Sequence, residues 1–453
     1  MAVDEARQHV PRRTAGGTAG RAARWSDRWR RPAWLDATGE WVRERTRLLD
    51  SPLATHHVLL ATTSVLVVIG LVMVLSSSSV ESLTEYGSPY AVFKNQAMFA
   101  VFGAVVLVVA SRIPARTWQR LALPALLGSA FLQLLVFLPG IGKTVNGNRN
   151  WIVLGGFSAQ PSEAAKVALV LSLALALTRR RDALREPVKL VGAMALPVGL
   201  TAGLVLLTQD LGTAMIMMAV VIVMLWVAGI PGRWFLLAGG VAGVAAVLAV
   251  VTSTNRMNRV ADWLSGTPDT HEAIRGLAWQ PVQGQYALAS GGFWGLGLGA
   301  SREKWSWLPE AHNDFIFAII GEELGLPGTL TILVLFAVVA LMVMRLVRRS
   351  QDFYTKLAVA GLGAWILGQA LLNMGVVLSL LPVIGVPLPL ISAGGSALVL
   401  TLLAIGILLS FARSEPGAPE ALRARESVVA RSLAVLPQRG PRVARTGGRK
   451  GRR

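Results

Sequence analysis

Residues 58–76, VLLATTSVLVVIGLVMVLS, form an apolar run without a single charged side chain. A helix of about 20 such residues crosses the roughly 30 Å hydrocarbon core of a bilayer. Comparable runs recur at 190–207, 213–231 and 391–412. The chain is therefore expected to be an all-α integral membrane protein.

Ten transmembrane helices are predicted along the chain, at 58–76, 96–111, 119–138, 163–178, 190–207, 213–231, 234–252, 313–344, 357–381 and 391–412. With the N-terminus inside, 35 of the 44 Lys and Arg residues fall on one side of the membrane. The positive-inside rule then predicts an N-in/C-in topology.

The domains expected from this pattern are a basic cytoplasmic N-terminal tail at 1–57, a ten-helix membrane domain at 58–413 and a disordered basic C-terminal tail at 414–453. The N-terminal tail fits either an amphipathic helix on the membrane surface or a disordered arm. A large outer loop, 253–312, joins helices 7 and 8. Sixty residues are long for an idle loop.

The composition excludes several classes of protein. Hydrophobic residues make up 53% of the 453 residues and charged residues 15%, against about 25% charged in ordinary soluble domains. The net charge of +19 resides largely in the tails, which predicts binding to anionic inner-leaflet lipid rather than to nucleic acid. Without cysteine there are no disulfides or thiolate metal sites. A nucleotide site is not expected, because the segment before Gly142-Lys143-Thr144 has Phe137 in place of the first glycine of a phosphate loop.

Charged residues within membrane spans are costly, so they are functional candidates. They cluster in the outer half of the predicted spans, and Asp314 opens the eighth one. Asp314 is either a catalytic carboxylate or a helix cap, with His312 or Asn313 as the alternative cap. Because the helix dipole would weaken Asp314 as a base, catalysis would need compensation from burial or from the nearby carboxylates Glu310, Glu322 and Glu323. Gly325 to Gly328, around Pro327, should interrupt this helix.

Three further positions allow two interpretations each. Glu163 and Lys166 lie three residues apart on one helix face, as a structural ion pair or with the lysine holding a phosphate. Asp210 is a helix cap or a polar ligand of a substrate. Ser396 begins the last helix after Gly394-Gly395, where free N–H groups can receive an anion or small residues can pack closely.

The outer segments also contain scattered cations, among them Arg256, Arg259 and Arg302, together with many tryptophans. Carboxylates, cations and aromatic side chains beside lipid suit a substrate with an anionic polar head on a lipid tail. Each tryptophan alone fits equally well an aromatic belt at the interface.

The motifs Leu308–Gly325 (LPEAHNDFIFAIIGEELG), Gln160–Lys166 (QPSEAAK), Asn146–Trp151 (NGNRNW), Gln209–Thr213 (QDLGT) and Asn373–Ser396 (NMGVVLSLLPVIGVPLPLISAGGS) resemble the SEDS family of shape, elongation, division and sporulation proteins. The resemblance runs from about Val58 to Arg413. It is closer to the cell-division members than to the elongation members. The chain departs from the family pattern at Ala393, Ala397, Gln209 and Asn313.

The resemblance implies a peptidoglycan glycosyltransferase that polymerises lipid II on the outer face of the bacterial cytoplasmic membrane, at the division septum. It implies that Asp314 is the essential aspartate. Substrate would then contact Lys166, Glu163, Glu310, His312, Arg256, Arg259, Arg302, Asp210 and Ser396. A divalent cation, Mg²⁺ or Mn²⁺, is the cofactor that the resemblance suggests, in which case Asp314 could hold the metal instead.

The partners implied are a class B penicillin-binding protein, whose transpeptidase cross-links the new strand, and other membrane proteins of the division machinery. The alternative functions are a lipid II flippase and a passive scaffold. A flippase needs a polar path through the whole bilayer, whereas the charged residues here lie in its outer half. A scaffold would not need Asp314.

Overall fold

In a computed structural model, the described residues are 51–145, 148–154, 157–181, 184, 186–251, 257 and 279–424. The contacts divide the chain into Met1–Ala54 and Thr55–Arg453. Only residues 51–54 of the first unit are described, so the predicted amphipathic helix of the N-terminal tail lies outside the described residues. The second unit contains the membrane helices and the candidate site.

The described part of the chain is mostly helical. Its helices are α1 (Ala54–Tyr86), α2 (Ala91–Arg112), α3 (Ala115–Leu135), α4 (Pro161–Arg179), α5 (Pro187–Leu207, with a π-helical turn at Gly199–Gly203), α6 (Leu211–Val227), α7 (Gly232–Val251), α8 (Trp279–Gly291), α9 (Ile316–Arg349), α10 (Phe353–Val377) and α11 (Gly395–Ala412). Each of the ten predicted spans overlaps one of these helices.

Seven of the described helices are long and apolar enough to cross a bilayer, namely α1, α2, α4, α5, α9, α10 and α11. Helix α6 is equally apolar but has only 17 residues. A multi-pass membrane protein is therefore indicated. The count of ten crossings and the N-in/C-in orientation stay predictions.

The all-α prediction is wrong for the segment before α4. Three short antiparallel strands lie there, β1 (Gly142–Val145), β2 (Asn148–Leu154) and β3 (Phe157–Ala159), in the order β1-β2-β3. In their register, Lys143 pairs with Trp151 and Val153 with Ser158. Polar residues, glycines and a β-bulge hide the alternating pattern by which a strand is usually recognised.

Helices α4 and α10 form the centre of the bundle. Their apolar windows are 83% and 72% buried, whereas the window of α2 is 22% buried and faces outward. Small residues allow close approach elsewhere: a Cβ on Gly406 of α11 would lie 2.7 Å from the Cβ of Ala110 on α2.

Helix α9 is broken where the sequence predicts. Gly325 has φ 65° and ψ −159°, a conformation that side chains with a Cβ adopt only with strain. The break separates a short outer half-helix, 316–324, from the remainder of α9. Leu296 and Gly297 donate their N–H groups to the carbonyls of Glu322 and Glu323. The described part of the loop before α9 thus satisfies backbone groups that the break releases.

The C-terminal tail begins with ordered structure. Residues 418–424 are helical, and Glu415 is buried 3.0 Å from Nε of Arg349. Disorder from residue 414 onward is therefore wrong for 414–424, because an ion pair and helical hydrogen bonds hold this segment. The predicted disorder of 425–453 concerns residues outside the described ones.

Candidate functional site

Asp314 lies just before α9 rather than in its first turn. The helix begins at Ile316 with Phe315 as the N-cap, and the Phe315 side chain makes no capping hydrogen bond. The N-cap predicted at His312 or Asn313 is therefore wrong, because the helix begins two to three residues later. An interaction of the Asp314 carboxylate with the dipole of α9 stays a prediction. The chain makes a turn over 310–315, which leaves Asp314 half-buried. Its side chain thus lies just before the start of α9.

Several contacts fix the backbone around Asp314. Asn373 of α10 donates Nδ2 to the carbonyl of Asp314 at 2.7 Å and to that of Val386 at 2.8 Å. Ser392 donates its hydroxyl to the carbonyl of Asn313, and the N–H of Ala393 bonds to the carbonyl of His312. These bonds join α10, the segment 382–394 and the turn before α9. They hold the aspartate at a defined place.

The segment 382–394 also approaches the carboxylate. Oδ2 of Asp314 lies 3.6 Å from the point where a Cβ on Gly385 would be. Gly385 has φ +76°, so a glycine permits both the turn and the nearness of the backbone. The acidic side chain therefore faces the irregular segment that precedes α11.

Glu163 and Lys166 form the predicted ion pair. Nζ of Lys166 lies 2.8 Å from Oε1 of Glu163, and both side chains are almost fully buried. Lys166 also donates to Oε1 of Gln369 at 2.8 Å and lies 4.8 Å from the ring centre of Trp365. The structural interpretation of this pair is confirmed. Binding of a phosphate by Lys166 stays a prediction.

One oxygen of this pair has no partner. Oε2 of Glu163 is buried and accepts no hydrogen bond from any residue that the structure describes. Burying an acceptor without a partner costs about 1–3 kcal/mol. This oxygen is therefore a buried acceptor whose hydrogen-bonding capacity the described residues do not use.

Gln369 and Asn373 connect the two acidic positions. They lie four residues apart on α10, so they share a helix face. Gln369 binds Lys166 and donates Nε2 to the carbonyl of Pro387, next to the Val386 carbonyl that Asn373 binds. Neither residue had a predicted role. Their polarity and spacing inside an otherwise apolar span were the available signal.

Asp210 caps α6, which confirms the structural interpretation of this residue. Its carboxylate accepts the N–H and the hydroxyl of Thr213 and the side-chain amides of Asn150 on β2 and Gln160. It is 7% exposed. With four donors at 2.9–3.1 Å, Asp210 fastens the small sheet and the start of α4 to α6.

Ser396 lies in the first turn of α11 and accepts a long hydrogen bond, 3.3 Å, from the N–H of Gln160. It therefore joins α11 to the start of α4 on the same side of the bundle as Asp210. A direct contact of Ser396 with substrate stays a prediction.

His312 pairs with Glu81 near the end of α1, at 3.0 Å between Nδ1 and Oε2. Burial by itself lowers the pKa of His312, but the contact with Glu81 and the negative charges of Glu81, Glu310 and Glu85 outweigh it. The pKa of His312 is therefore raised above its usual value. A protonated His312 would be a cation two residues from Asp314.

The remaining predicted residues differ in accessibility. Glu310 and Arg302 have exposed side chains, and Oε2 of Glu310 accepts a hydrogen bond from Asn313. Arg256 and Arg259 lie outside the described residues. Glu310 is thus part of the turn that presents Asp314, and Arg302 is free to move toward a phosphate.

Glu322 and Glu323 of the outer half-helix belong to a separate buried cluster. Ser76 donates to both oxygens of Glu323 at 2.6 and 2.8 Å, and Nζ of Lys304 lies 3.3 Å from Oε1. Glu322 accepts the hydroxyl of Ser301 and the N–H of Arg302. These carboxylates therefore hold the outer loop on α9, which is a structural role that the sequence analysis did not predict.

Glu303 lies at the edge of this cluster. Burial, together with the negative charge of Glu322, raises the pKa of Glu303 from 4.5 to about 7. Its Oε2 is buried without a hydrogen-bond partner among the described residues. The sequence showed only a glutamate between two basic residues, and only the fold brings it against Glu322.

The described residues do not form a metal site by themselves. Among them, no group of three or more His, Asp or Glu side chains is arranged to hold an ion. A divalent cation near Asp314 would need most of its ligands from a bound pyrophosphate and water, as Mg²⁺ sites on phosphates often do.

Residues 56–416 match the family model of the FtsW, RodA and SpoVE cell cycle proteins. A probable peptidoglycan glycosyltransferase FtsW from Mycobacterium tuberculosis is 41% identical over 403 residues, which cover 87% of this chain and 75% of the relative. The stage V sporulation protein E of Bacillus subtilis is 36% identical over 352 residues, 78% of this chain and 95% of the relative.

Two solved structures have a similar fold. One, from work on the coordination of polymerization and crosslinking by a peptidoglycan synthase complex, has a TM-score of 0.64 at 27% identity and covers 79% of this chain and 97% of that chain. The other, the rod shape determining protein RodA of Thermus thermophilus, has a TM-score of 0.57 at 26% identity and covers 79% and 96%.

Proposed function

Because the chain belongs to the FtsW, RodA and SpoVE family of cell cycle proteins, we propose that it is the peptidoglycan glycosyltransferase of septal cell-wall synthesis. Its substrate is lipid II, a disaccharide-pentapeptide on undecaprenyl pyrophosphate, which suits a polar site beside lipid. The observation that supports this most directly is the position of Asp314, half-buried just before the broken α9. Asn373 binds the carbonyl of Asp314, and Ser392 binds the carbonyl of the preceding Asn313.

Asp314 acts as the general base in this proposal. Its carboxylate accepts the proton of the 4-hydroxyl of the acceptor, whose oxygen forms a bond to the anomeric carbon of the donor. The bond between that carbon and the pyrophosphate oxygen breaks, and the pyrophosphate leaves with the electron pair. Positioned acid–base groups typically accelerate such steps by about 10²–10⁴-fold.

The neighbouring groups position the substrate. Oε2 of Glu163 is a buried acceptor for a sugar hydroxyl or amide, while Lys166, His312 and Arg302 supply positive charge for the pyrophosphate. A Mg²⁺ or Mn²⁺ ion would neutralise further charge on the pyrophosphate. The breaking of the phosphate ester supplies the driving force, so no nucleotide is required.

The same relationships support a proposed location and proposed partners. The protein acts on the outer face of the cytoplasmic membrane at the division septum. It works with a class B penicillin-binding protein, in line with the synthase complex whose fold it shares, and with other membrane proteins of division. Its basic tails contact anionic lipid of the inner leaflet.

Polymerisation of fluorescent lipid II by the purified full-length protein, with and without its penicillin-binding partner, tests this function. We expect Asp314→Asn to lower the rate by about 10²-fold or more while the folded yield is unchanged. Glu186→Gln is the control, since the Glu186 side chain is more than half exposed and forms an ion pair with Lys189, which is similarly exposed.

An undiminished rate for Asp314→Asn refutes the proposed role of this residue. Translocation of lipid II across vesicle membranes without any polymer, by the wild-type protein with its partner, identifies a flippase instead.

A further inference from the structure

A cavity lined by both basic and apolar residues lies at the other end of α11 from Asp314. The turn holding Asp314 contacts residues 392–393, just before α11, whereas this cavity of about 260 Å³ lies where α2 and α11 end and α3 begins. Helix α11 has 18 residues, so the two places are roughly 27 Å apart along it. The cavity is therefore separate from the candidate active site.

Three arginines line this cavity, which is named the arginine pocket: Arg112, Arg413 and Arg423. None of the described residues in its wall is acidic. Arg112 and Arg423 are exposed, and neither forms a hydrogen bond or ion pair with a residue that the structure describes. Three guanidinium groups around one cavity repel each other, and a bound anion would remove this repulsion.

The backbone at the arginine pocket also favours an anion. Helix α3 begins at Ala115, so its free N–H groups and positive dipole end lie at the wall. Carbonyls near the end of α2 would oppose an anion, but those of Ser111 and Ile113 accept hydrogen bonds from side chains. Ser410 donates to the carbonyl of Ile113, and Nη1 of Arg413 donates to that of Ser111 at 3.3 Å. Arg413 retains further N–H donors.

The apolar part of the wall indicates what carries the anion. Ile113, Pro114 and Leu422 line the same cavity. On the adjoining α2, Val105, Val108 and Val109 are more than half exposed, as lipid-facing residues are. A ligand with a phosphate and an acyl chain would contact both surfaces.

The chain's own C-terminal tail does not supply such an anion. Residues 425–453 contain nine Lys or Arg residues and a single glutamate, Glu426. Like charge therefore disfavours binding of this tail to the arginine pocket.

We propose that the arginine pocket binds the phosphate of an anionic phospholipid at the membrane surface. Arg112, Arg413 and Arg423 hold the phosphate oxygens, and the apolar wall receives the start of the acyl chains. The site is independent of glycosyl transfer and would bind lipid in an Asp314→Asn variant as well.

The test is a titration of the full-length protein, purified in detergent, with phosphatidylglycerol, followed by native mass spectrometry. The variant Arg112→Gln/Arg423→Gln removes two exposed charges and leaves the bonded Arg413 in place, so it should fold. Arg179→Gln/Arg348→Gln is the matched control, since both arginines are exposed at helix ends and neither lines the pocket.

We expect phosphatidylglycerol to bind the pocket variant about tenfold more weakly, which corresponds to about 1.4 kcal/mol, and the control variant as the wild type. Competition with glycerol 3-phosphate or inorganic phosphate distinguishes the two possible sources of the bound phosphate group. If neither compound displaces phosphatidylglycerol, the result supports a lipid headgroup. If either compound displaces it, the result supports a soluble phosphate with the same chemistry. Equal weakening in both variants, or none in the pocket variant, overturns the proposal.

Discussion

Replacing Lys166 with methionine should strongly destabilise the protein, although it removes only one ion pair, that with Glu163. The exchange leaves the carboxylate of Glu163 buried, 3% exposed, with Oε2 already lacking a partner. Removing one member of a buried ion pair typically costs about 3–5 kcal/mol, because the other charge stays uncompensated in a medium of low polarity. The loss of the hydrogen bond to Gln369 adds to this cost.

The double variant Glu163→Gln/Lys166→Met should recover most of that loss, since it buries no charge. Lys189→Met is a control of equal geometry: its Nζ is also 2.8 Å from a glutamate three residues earlier, but both side chains are more than half exposed. Such an exposed pair contributes about 0–1 kcal/mol.

Thermal unfolding of the wild type and the three variants, each at full length in the same detergent and monitored by size-exclusion chromatography, gives their midpoints. The expected order of midpoints is wild type and Lys189→Met highest, the double variant next and Lys166→Met lowest. If the double variant unfolds at or below the midpoint of Lys166→Met, uncompensated charge is not the cause of the loss, and the reasoning fails.

Three further changes test the remaining geometry. Asn373→Leu removes the donor to two carbonyls, so it should lower the free energy of unfolding by about 2 kcal/mol. It should also lower kcat for lipid II polymerisation about tenfold with little change in KM. A change in KM alone contradicts this prediction. Gly325→Ala should lower the free energy of unfolding by more than about 3 kcal/mol, since a Cβ there would overlap neighbouring backbone. Gly87 has a similar φ but lies in open space, so Gly87→Ala should cost about 1–2 kcal/mol. The unfolding midpoints of the two variants test this difference. Because the pKa of His312 is raised, its pair with Glu81 stabilises the fold fully below pH 6.5, and this stabilisation is lost as pH rises through the raised pKa. The wild type should therefore have a higher unfolding midpoint than Glu81→Gln at pH 6, and the two midpoints should converge at high pH. A difference that does not change with pH would contradict the pairing.

Local features of the site were predictable because they depend on short spacings. Glu163 and Lys166 share a helix face at i,i+3, and Asp210 precedes a helix start, so their pairing and capping follow from the chain itself. The break in α9 likewise follows from Gly325, beside Pro327.

Contacts between distant segments were not predictable in this way. Asn373 lies 59 residues from Asp314, and the partner of Ser76 is 247 residues away. A sequence records which polar residues must find partners inside a membrane protein, but many pairings satisfy that requirement equally well. The assignment of Glu322 and Glu323 to Ser76, Ser301 and Lys304 is one such choice.

The sequence by itself determined that the chain is a multi-pass helical membrane protein and that its unusual polar residues gather toward one face. Apolar runs long enough to span a bilayer leave a helix as the only backbone that satisfies its own hydrogen bonds there. Only the tertiary structure decided that Asp314 stands outside the helix it was expected to cap, and that three arginines surround one cavity. Those outcomes depend on how the helix ends meet, which is set by packing across the whole bundle rather than by neighbours in the chain.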